Sequence, residues 1–368
     1  MKNYWVHGVI AFAVALCGAI LRIAVLSIHA FVKDKTFLSE LKAWDSEYYL
    51  QIAQNGYFNA QISNQEVPAH EVTLAFFPGY PMLVRAVSFL TGMGTASAAF
   101  VVSFISLVAL TWGTVEIADR MGAKTWAKVG AAIAVTCAPM AIVFSMPYTE
   151  ALFGALVAWA LVAMIDRRWL LAGGLIFLLG FVRLTSVGMV ATLGLMVLIY
   201  GRRNWRAWLA VFIAPLSLLM YILWANSHLQ HVGGYFGTQA KHWHSQFDFG
   251  VATLRWAWKA LTESEQLGYG LSVLVMLAVP VLLFITWGKI PWPVWVFCAV
   301  LAANVLLSDG IMHSRPRLLL PAAMLLIPAV IKLDELGNRR VYVTLLAGWV
   351  IFGAWFSAYM LTPFQWAI

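Results

Sequence analysis

Trp44-Asp45-Ser46-Glu47-Tyr48-Tyr49, continuing to Gly56-Tyr57 and then Phe76-Phe77-Pro78-Gly79-Tyr80-Pro81, decides how this chain is read. It follows an apolar run from Tyr4 to about Ala30, long enough to cross a bilayer as a helix. As a loop it is too long and too aromatic to be a simple connector. A carboxylate held beside aromatics at a membrane surface is costly, so it invites a chemical explanation as well as a packing one.

Working outward, the composition fixes the class. Of 368 residues, 62% are hydrophobic and 11% charged, with a mean hydropathy of +0.81. Soluble domains run at roughly 45–50% apolar and about 25% charged. The chain is therefore expected to be an all-α polytopic membrane protein, a single unit over residues 1–368. About eleven apolar stretches qualify as membrane helices. They begin with Trp5–His29, Thr95–Val115, Trp126–Ser145, Tyr148–Ile165, Trp169–Val182 and Leu184–Tyr200. Trp208–Ala225, Leu267–Trp287, Trp292–Leu307, Leu318–Ile331 and Val341–Leu361 complete the set. The N-terminal run is longer than a signal-peptide core and is read as a retained first helix.

Lys and Arg set the orientation. With a cytoplasmic N-terminus, every second loop carries positive charge, as the positive-inside rule requires. Those loops hold Arg120, Lys124 and Lys128; Arg167 and Arg168; Arg202, Arg203 and Arg206; Lys289; and Lys332, Arg339 and Arg340. The long loops 31–94 and 228–266 then share the outer face with Ser145–Pro147, the Arg183 turn and Ser308–Arg317. In the first loop Leu41, Trp44, Tyr48 and Ile52 recur at helical spacing, which predicts an interfacial amphipathic helix. Phe76–Leu90 is apolar but broken by Pro78, Gly79 and Pro81, and suits a re-entrant or second interfacial helix.

The outer-face residues admit two readings each. Asp45 is either a helix cap or a partly desolvated general base that takes a proton from an acceptor hydroxyl. Glu47, two residues on, faces away from Asp45 on a helix and implies no carboxylate pair. Arg183, Arg315 and Arg317 sit at the outer ends of spans, either as snorkelling anchors or as a cradle for a phosphate headgroup. Tyr148 and Glu150 either cap a helix start or line an outer cavity. His228, His231, His242 and His244 lack accompanying ligands at metal spacing and read as solvated loop histidines. Trp243, Trp256 and Trp258 read as an interface belt or as platforms for sugar rings. Cys17, Cys137 and Cys298 lie in separate apolar runs and argue against a disulfide framework. Arg22 and Arg85 come close to intramembrane charges, and both have room to snorkel.

Trp44-Asp45-x-x-Tyr48-Tyr49-x-x-Ile52-Ala53-x-x-Gly56-Tyr57, with Phe76-Phe77-Pro78-x-Tyr80-Pro81, resembles the signature of PIG-V-like mannosyltransferases. Pro147-Tyr148-Thr149-Glu150-Ala151-Leu152-Phe153 is similar to another segment of that family. Arg183 with Gly188, and Arg315-Pro316-Arg317-Leu318-Leu319-Leu320-Pro321, resemble its later turns, although Leu318 stands where an aromatic is frequent. The resemblance implies a GT-C helical bundle with jaw-like interfacial helices in the first outer loop. It implies a hexose, mannose in that family, carried on a polyprenyl phosphate and transferred with inversion at the outer face of the cell membrane. Asp45 would be the catalytic base and Arg183, Arg315 and Arg317 the donor-phosphate ligands. Trp44, Glu47, Tyr48, Tyr49, Tyr57, Phe77, Tyr80, Tyr148, Glu150 and His313 would line the substrate cavity. The acceptor would be a glycolipid, a cell-wall glycan or a protein. No cofactor, metal ligand set or nucleic-acid partner is expected, and a divalent ion is left open.

Two rivals come from other classes. A transporter or lipid flippase would show internal symmetry, broken mid-membrane helices or charges within spans. A non-catalytic membrane scaffold would have no need of Asp45 opposite several arginines.

Overall fold

The computed structural model describes residues 4–63, 67–243, 245–364 and 366; His244 lies outside them. Helix or broken helix covers all the expected apolar stretches. Tyr4–Val32, Thr95–Arg120, Leu184–Gly201, Trp205–His228, Leu267–Ile285 and Arg339–Leu361 are each long and apolar enough to cross a membrane. Met312–Leu318 and Leu320–Glu335 form an apolar helix pair bent by 56°, a broken span or a re-entrant loop. The shorter apolar helices Glu150–Ile165, Trp169–Gly180 and Trp292–Leu306 pack among them. Proline accounts for the bend: Pro316 opens the first short helix, and Pro321 removes a backbone donor just beyond the break.

Small residues let the central helices approach closely. Gly113 of Thr95–Arg120 lies where a Cβ would meet the Ala158 Cβ at 2.7 Å, so only glycine fits that crossing. The first outer loop is itself helical, with Asp45–Asn55 and Gly79–Thr91 as its main elements. Arg85 joins them by donating from Nε to the Ala53 carbonyl (2.7 Å) and from Nη2 to the Ile52 carbonyl (3.0 Å). These carbonyls end the Asp45–Asn55 helix, where a cation is also favoured by the helix dipole. Arg85 is thus a clamp between two loop helices.

Arg22 does not snorkel either. Its side chain is buried at mid-helix and Nη1 donates to the Thr136 carbonyl at 2.7 Å, beside the break that ends Thr125–Thr136. The break frees a carbonyl, and the arginine satisfies it. The helix of the first loop begins at Asp45, so Leu41 and Trp44 fall outside the predicted amphipathic stripe.

Candidate functional site

The starting point is a tight turn. Ser46 N–H donates to the Ala43 carbonyl at 3.3 Å, with Trp44 as the first central residue at φ 59°, ψ −129°. These angles are ordinarily occupied by glycine, so the turn holds an L-residue under strain. Asp45 follows as the first helical residue. Its backbone N–H donates to the Tyr148 hydroxyl at 3.1 Å, which fixes the start of the helix against the Met146–Glu150 turn.

That turn is braced from behind. The Tyr80 hydroxyl lies 2.8 Å from the Ser103 hydroxyl, which donates to the Met146 carbonyl at 2.7 Å. Gly79 brings the loop helix onto the Arg183 turn: its N–H donates to the Phe181 carbonyl at 2.7 Å, and a Cβ there would lie 2.8 Å from that oxygen. Backbone contact of this closeness requires glycine.

Four charged side chains meet at this junction. Arg317 Nη2 donates to Asp45 Oδ2 at 2.7 Å, and its guanidinium lies 5.2 Å over the Tyr148 ring. Arg183 Nη1 reaches Glu150 Oε1 at 2.6 Å, while Arg317 Nε is 3.9 Å from the same oxygen. The Glu150 side chain is 5% exposed, so its charge is held by the two arginines behind the cavity wall. Arg183 also donates to Thr149 Oγ1 at 3.3 Å, and the Tyr49 hydroxyl is 3.4 Å from that atom. Arg317 Nε and Nη1 are buried without a hydrogen-bond partner among the described residues. Buried guanidinium donors are normally satisfied; among the described residues Arg22 Nε is the other exception, and Arg317 alone has two such nitrogens.

These residues open onto a cavity of about 250 Å³. Asp45, Tyr49, Phe77, Arg183, Arg315 and Arg317 all line it, together with Tyr235, Gln239, Trp243 and Ser245 and the turn from Ser308 to Ile311. Arg315 is already engaged: Nη1 donates to Thr253 Oγ1 and Nη2 to the Ser308 carbonyl. It ties the 308–311 turn to the Val251–Thr262 helix. Glu150 and Tyr148 stand directly behind the lining rather than on it.

The remaining expected site residues lie elsewhere. Trp44 is 39% exposed at the rim turn. Glu47 accepts from the Ser63 N–H (2.9 Å) and hydroxyl (2.7 Å), closing the loop's own surface. Tyr48 stacks on Phe76 with ring centroids 4.6 Å apart. Tyr57 donates its hydroxyl to the Phe76 carbonyl at 2.9 Å and is buried in the loop core. His313 packs against Tyr269 and Phe364 at 5.8 and 5.4 Å. Gln239, Asn304 and Asp309, by contrast, line the cavity and carry no sequence signal of their own. Trp243, read from sequence as an interface residue or a platform for a sugar ring, lines the cavity and packs edge-on against Phe76 at 5.7 Å.

His231 and His242 turn towards Glu71 rather than towards one another. Among the described residues, His7, Glu116 and Asp119 form the one group with metal-like spacing, far from the cavity in sequence. The Lys128 ammonium already lies 2.6 Å from Asp119 Oδ1 and 3.0 Å from His7 Nε2.

A second hollow, about 280 Å³, lies next to the first and is lined almost wholly by aliphatic and aromatic side chains such as Leu271, Ala278, Leu282 and Phe352. The short helix Arg315–Leu318 is the shared wall: Arg315, Arg317 and Leu318 face the polar cavity, whereas Pro316 and the following Leu319 face the apolar groove.

No protein-family model and no curated protein sequence matches this chain. Among solved structures it is similar to ArnT from Cupriavidus metallidurans in the apo state. The TM-score is 0.54 at 16% identity, over 89% of this chain and 62% of that one. It is also similar to the Archaeoglobus fulgidus oligosaccharyltransferase in complex with zinc and sulfate, at TM-score 0.48, 12% identity, and 95% and 53% coverage. The chain thus spans about three fifths of the length of ArnT. It shares with ArnT an all-helical fold, a bundle of apolar helices of membrane-crossing length, with further helices in its first long loop.

Proposed function

We propose that this chain is an integral membrane glycosyltransferase that moves a hexose, mannose in the first instance, from a polyprenyl-phosphate donor to a hydroxyl acceptor, with inversion. The observation carrying this reading is the pairing of Asp45 with Arg317 at a cavity where Arg317 still has two unpartnered buried donors. A lipid monophosphate has one chemistry for each of the neighbouring hollows. Its phosphate meets the guanidinium fork in the polar cavity, and its isoprenyl chain lies in the groove beyond Pro316 and Leu319.

The chemistry follows from the charges. Asp45 takes the acceptor hydroxyl proton, the acceptor oxygen attacks the anomeric carbon, and the polyprenyl phosphate leaves with its growing charge facing Arg317 and Arg183. Arg315, engaged with Thr253 and Ser308, shapes the cavity wall and adds to its positive field. The alternation of Lys- and Arg-rich loops supports a cytoplasmic N-terminus with the cavity at the outer face. Glycolipid, cell-wall glycan and protein acceptors all supply the hydroxyl this chemistry needs.

The test is transfer from radiolabelled polyprenyl-phosphate mannose in membranes holding equal amounts of the wild-type protein and of Asp45→Asn. Asparagine keeps the shape of the side chain but cannot accept the proton. Loss of about a hundredfold or more in Asp45→Asn is expected. Equal incorporation by both proteins removes Asp45 from the reaction. Absence of incorporation by the wild type favours a transporter or flippase that binds the lipid without transferring its sugar.

A further inference from the structure

Resting on that reading, we propose that Arg317 is a shared cation that passes from Asp45 to the donor phosphate, so that Asp45 is released as a base only when the lipid phosphate is seated. The resting geometry gives Arg317 a single hydrogen bond, from Nη2 to Asp45 at 2.7 Å, and leaves Nε and Nη1 buried without a partner among the described residues. An arginine placed only to neutralise Asp45 would be expected to use its fork in a bidentate pair. Here two of the three guanidinium nitrogens are held in reserve, in a side chain that lines the cavity.

Two neighbours keep the guanidinium in place while it changes partner. The Tyr148 ring lies 5.2 Å beneath it, and Glu150 Oε1 is 3.9 Å from Nε. Glu150 itself remains paired with Arg183 at 2.6 Å, so it biases the position of Arg317 without binding it tightly. Tyr148 in turn holds the Asp45 backbone, so base and cation are referred to the same turn.

The reaction's own charge movement fits such a carrier. As the acceptor O–H bond breaks, its proton goes to a carboxylate oxygen of Asp45, which becomes neutral. The acceptor oxygen bonds to the anomeric carbon, and the electron pair of the broken C–O bond goes to the phosphate, which gains one negative charge. Negative charge thus leaves one side of Arg317 and appears on the other, with the total unchanged. A cation between the two stabilises the resting pair and the product alike. The consequence is an order of binding: donor first, then acceptor, because before the phosphate arrives the base is occupied.

The experiment is a double-mutant cycle on the purified full-length chain in detergent, reading the affinity for a long-chain polyprenyl phosphate that carries no sugar. Asp45→Asn is expected to bind it about tenfold more tightly than wild type, the gain expected if resting Arg317 is free about a tenth of the time. In an Arg317→Gln background, Asp45→Asn is expected to change the affinity by less than about twofold, because the gain passes through Arg317. Arg317→Met, which keeps the bulk but not the charge, serves the same cycle if Arg317→Gln fails to fold. Unchanged or weaker binding by Asp45→Asn overturns the proposal. So does a gain that persists in full without Arg317, since simple removal of a negative charge then explains it. If neither the wild type nor any variant binds the lipid phosphate, the glycosyl-transfer reading falls together with this one.

Discussion

Two ionic clusters sit at the two ends of one helix, Glu150–Ile165, whose 16 residues place them about 24 Å apart. At the C-terminal end Arg120 uses all three of its nitrogens, donating to Asp166 at 2.7 and 2.6 Å and to Glu116 at 2.6 Å. His7 reaches Glu116 at 2.8 Å, and Lys128 reaches Asp119 at 2.6 Å. At the N-terminal end Arg317 uses one nitrogen of three and faces a cavity. Charges buried in a membrane protein are costly wherever they sit. A saturated cluster offsets that cost with its own contacts and holds helices together, whereas an unsaturated one keeps donors for a ligand, as proposed here for Arg317.

That contrast can be broken by mutation at either end. Arg317→Gln should lower sugar transfer per folded molecule by about a hundredfold, the scale of losing one preorganised donor at a developing anion. Its unfolding midpoint should stay near wild type, because Glu150 keeps Arg183 and Asp45 is partly exposed. A large loss of stability with an intact rate would make Arg317 structural and erase the difference. Arg120→Gln should do the reverse. It leaves the fully buried Glu116 with His7 alone and Asp166 without its bidentate partner, and should cost about 3 kcal/mol in unfolding free energy, with the transfer rate of the surviving folded protein unchanged.

A third site sharpens the picture between these extremes. Glu71, in the first loop, accepts from Lys241 at 2.6 Å and lies 3.0 Å from His242 Nε2, tying the first long loop to the helix Gly234–Trp243 that lines the cavity. Burial pushes the Glu71 carboxyl up, but the hydrogen bonds from Lys241 and His242 outweigh it and leave it below its ordinary 4.5. A depressed folded-state value means that the tie is at full strength above pH 4.5 and weakens as pH falls through the lowered value. Because Lys241 is half exposed, Glu71→Gln should cost only about 1 kcal/mol. Hydrogen exchange over Gly234–Trp243 should quicken in that variant at neutral pH, and in the wild type under acid. Exchange that ignores both changes would deny the tie.

The smallest expected effect concerns the strained turn. Trp44→Gly should be more stable than Trp44→Ala by about 1 kcal/mol, since glycine adopts the observed φ of 59° freely. Thermal midpoints of the two variants measure this directly, and equal midpoints would remove strain from the account of how Asp45 is aimed.

Much of this was legible in the sequence because membrane helices announce themselves by length and apolarity. The same reasoning placed Asp45, Arg183, Arg315 and Arg317 at one end of the bundle, and the structure gathers all four around one cavity. It did not distinguish Arg315 from Arg317, two residues apart. Which nitrogens are already engaged depends on Thr253 and Ser308, contacts made only by tertiary folding. Tyr57, Tyr80 and Tyr148 share motifs with Asp45, yet they brace its surroundings rather than face the cavity. Gln239, Trp243 and Asp309 line it without any motif, carried there by the second long loop and the 308–311 turn. The opposite cluster was not read from the sequence, where Arg120 and Lys128 served only to set the orientation, because His7, Lys128 and Asp166 converge on Glu116 and Arg120 from distant parts of the chain.

The most direct measurement is a structure of the full chain with a polyprenyl phosphate bound. The account predicts the phosphate in the polar cavity, its oxygens about 2.8 Å from Arg317 Nε or Nη1, with Asp45 released and the isoprenyl chain in the groove beyond Leu319. A phosphate seated away from Arg317, with the Asp45–Arg317 pair intact, would contradict it.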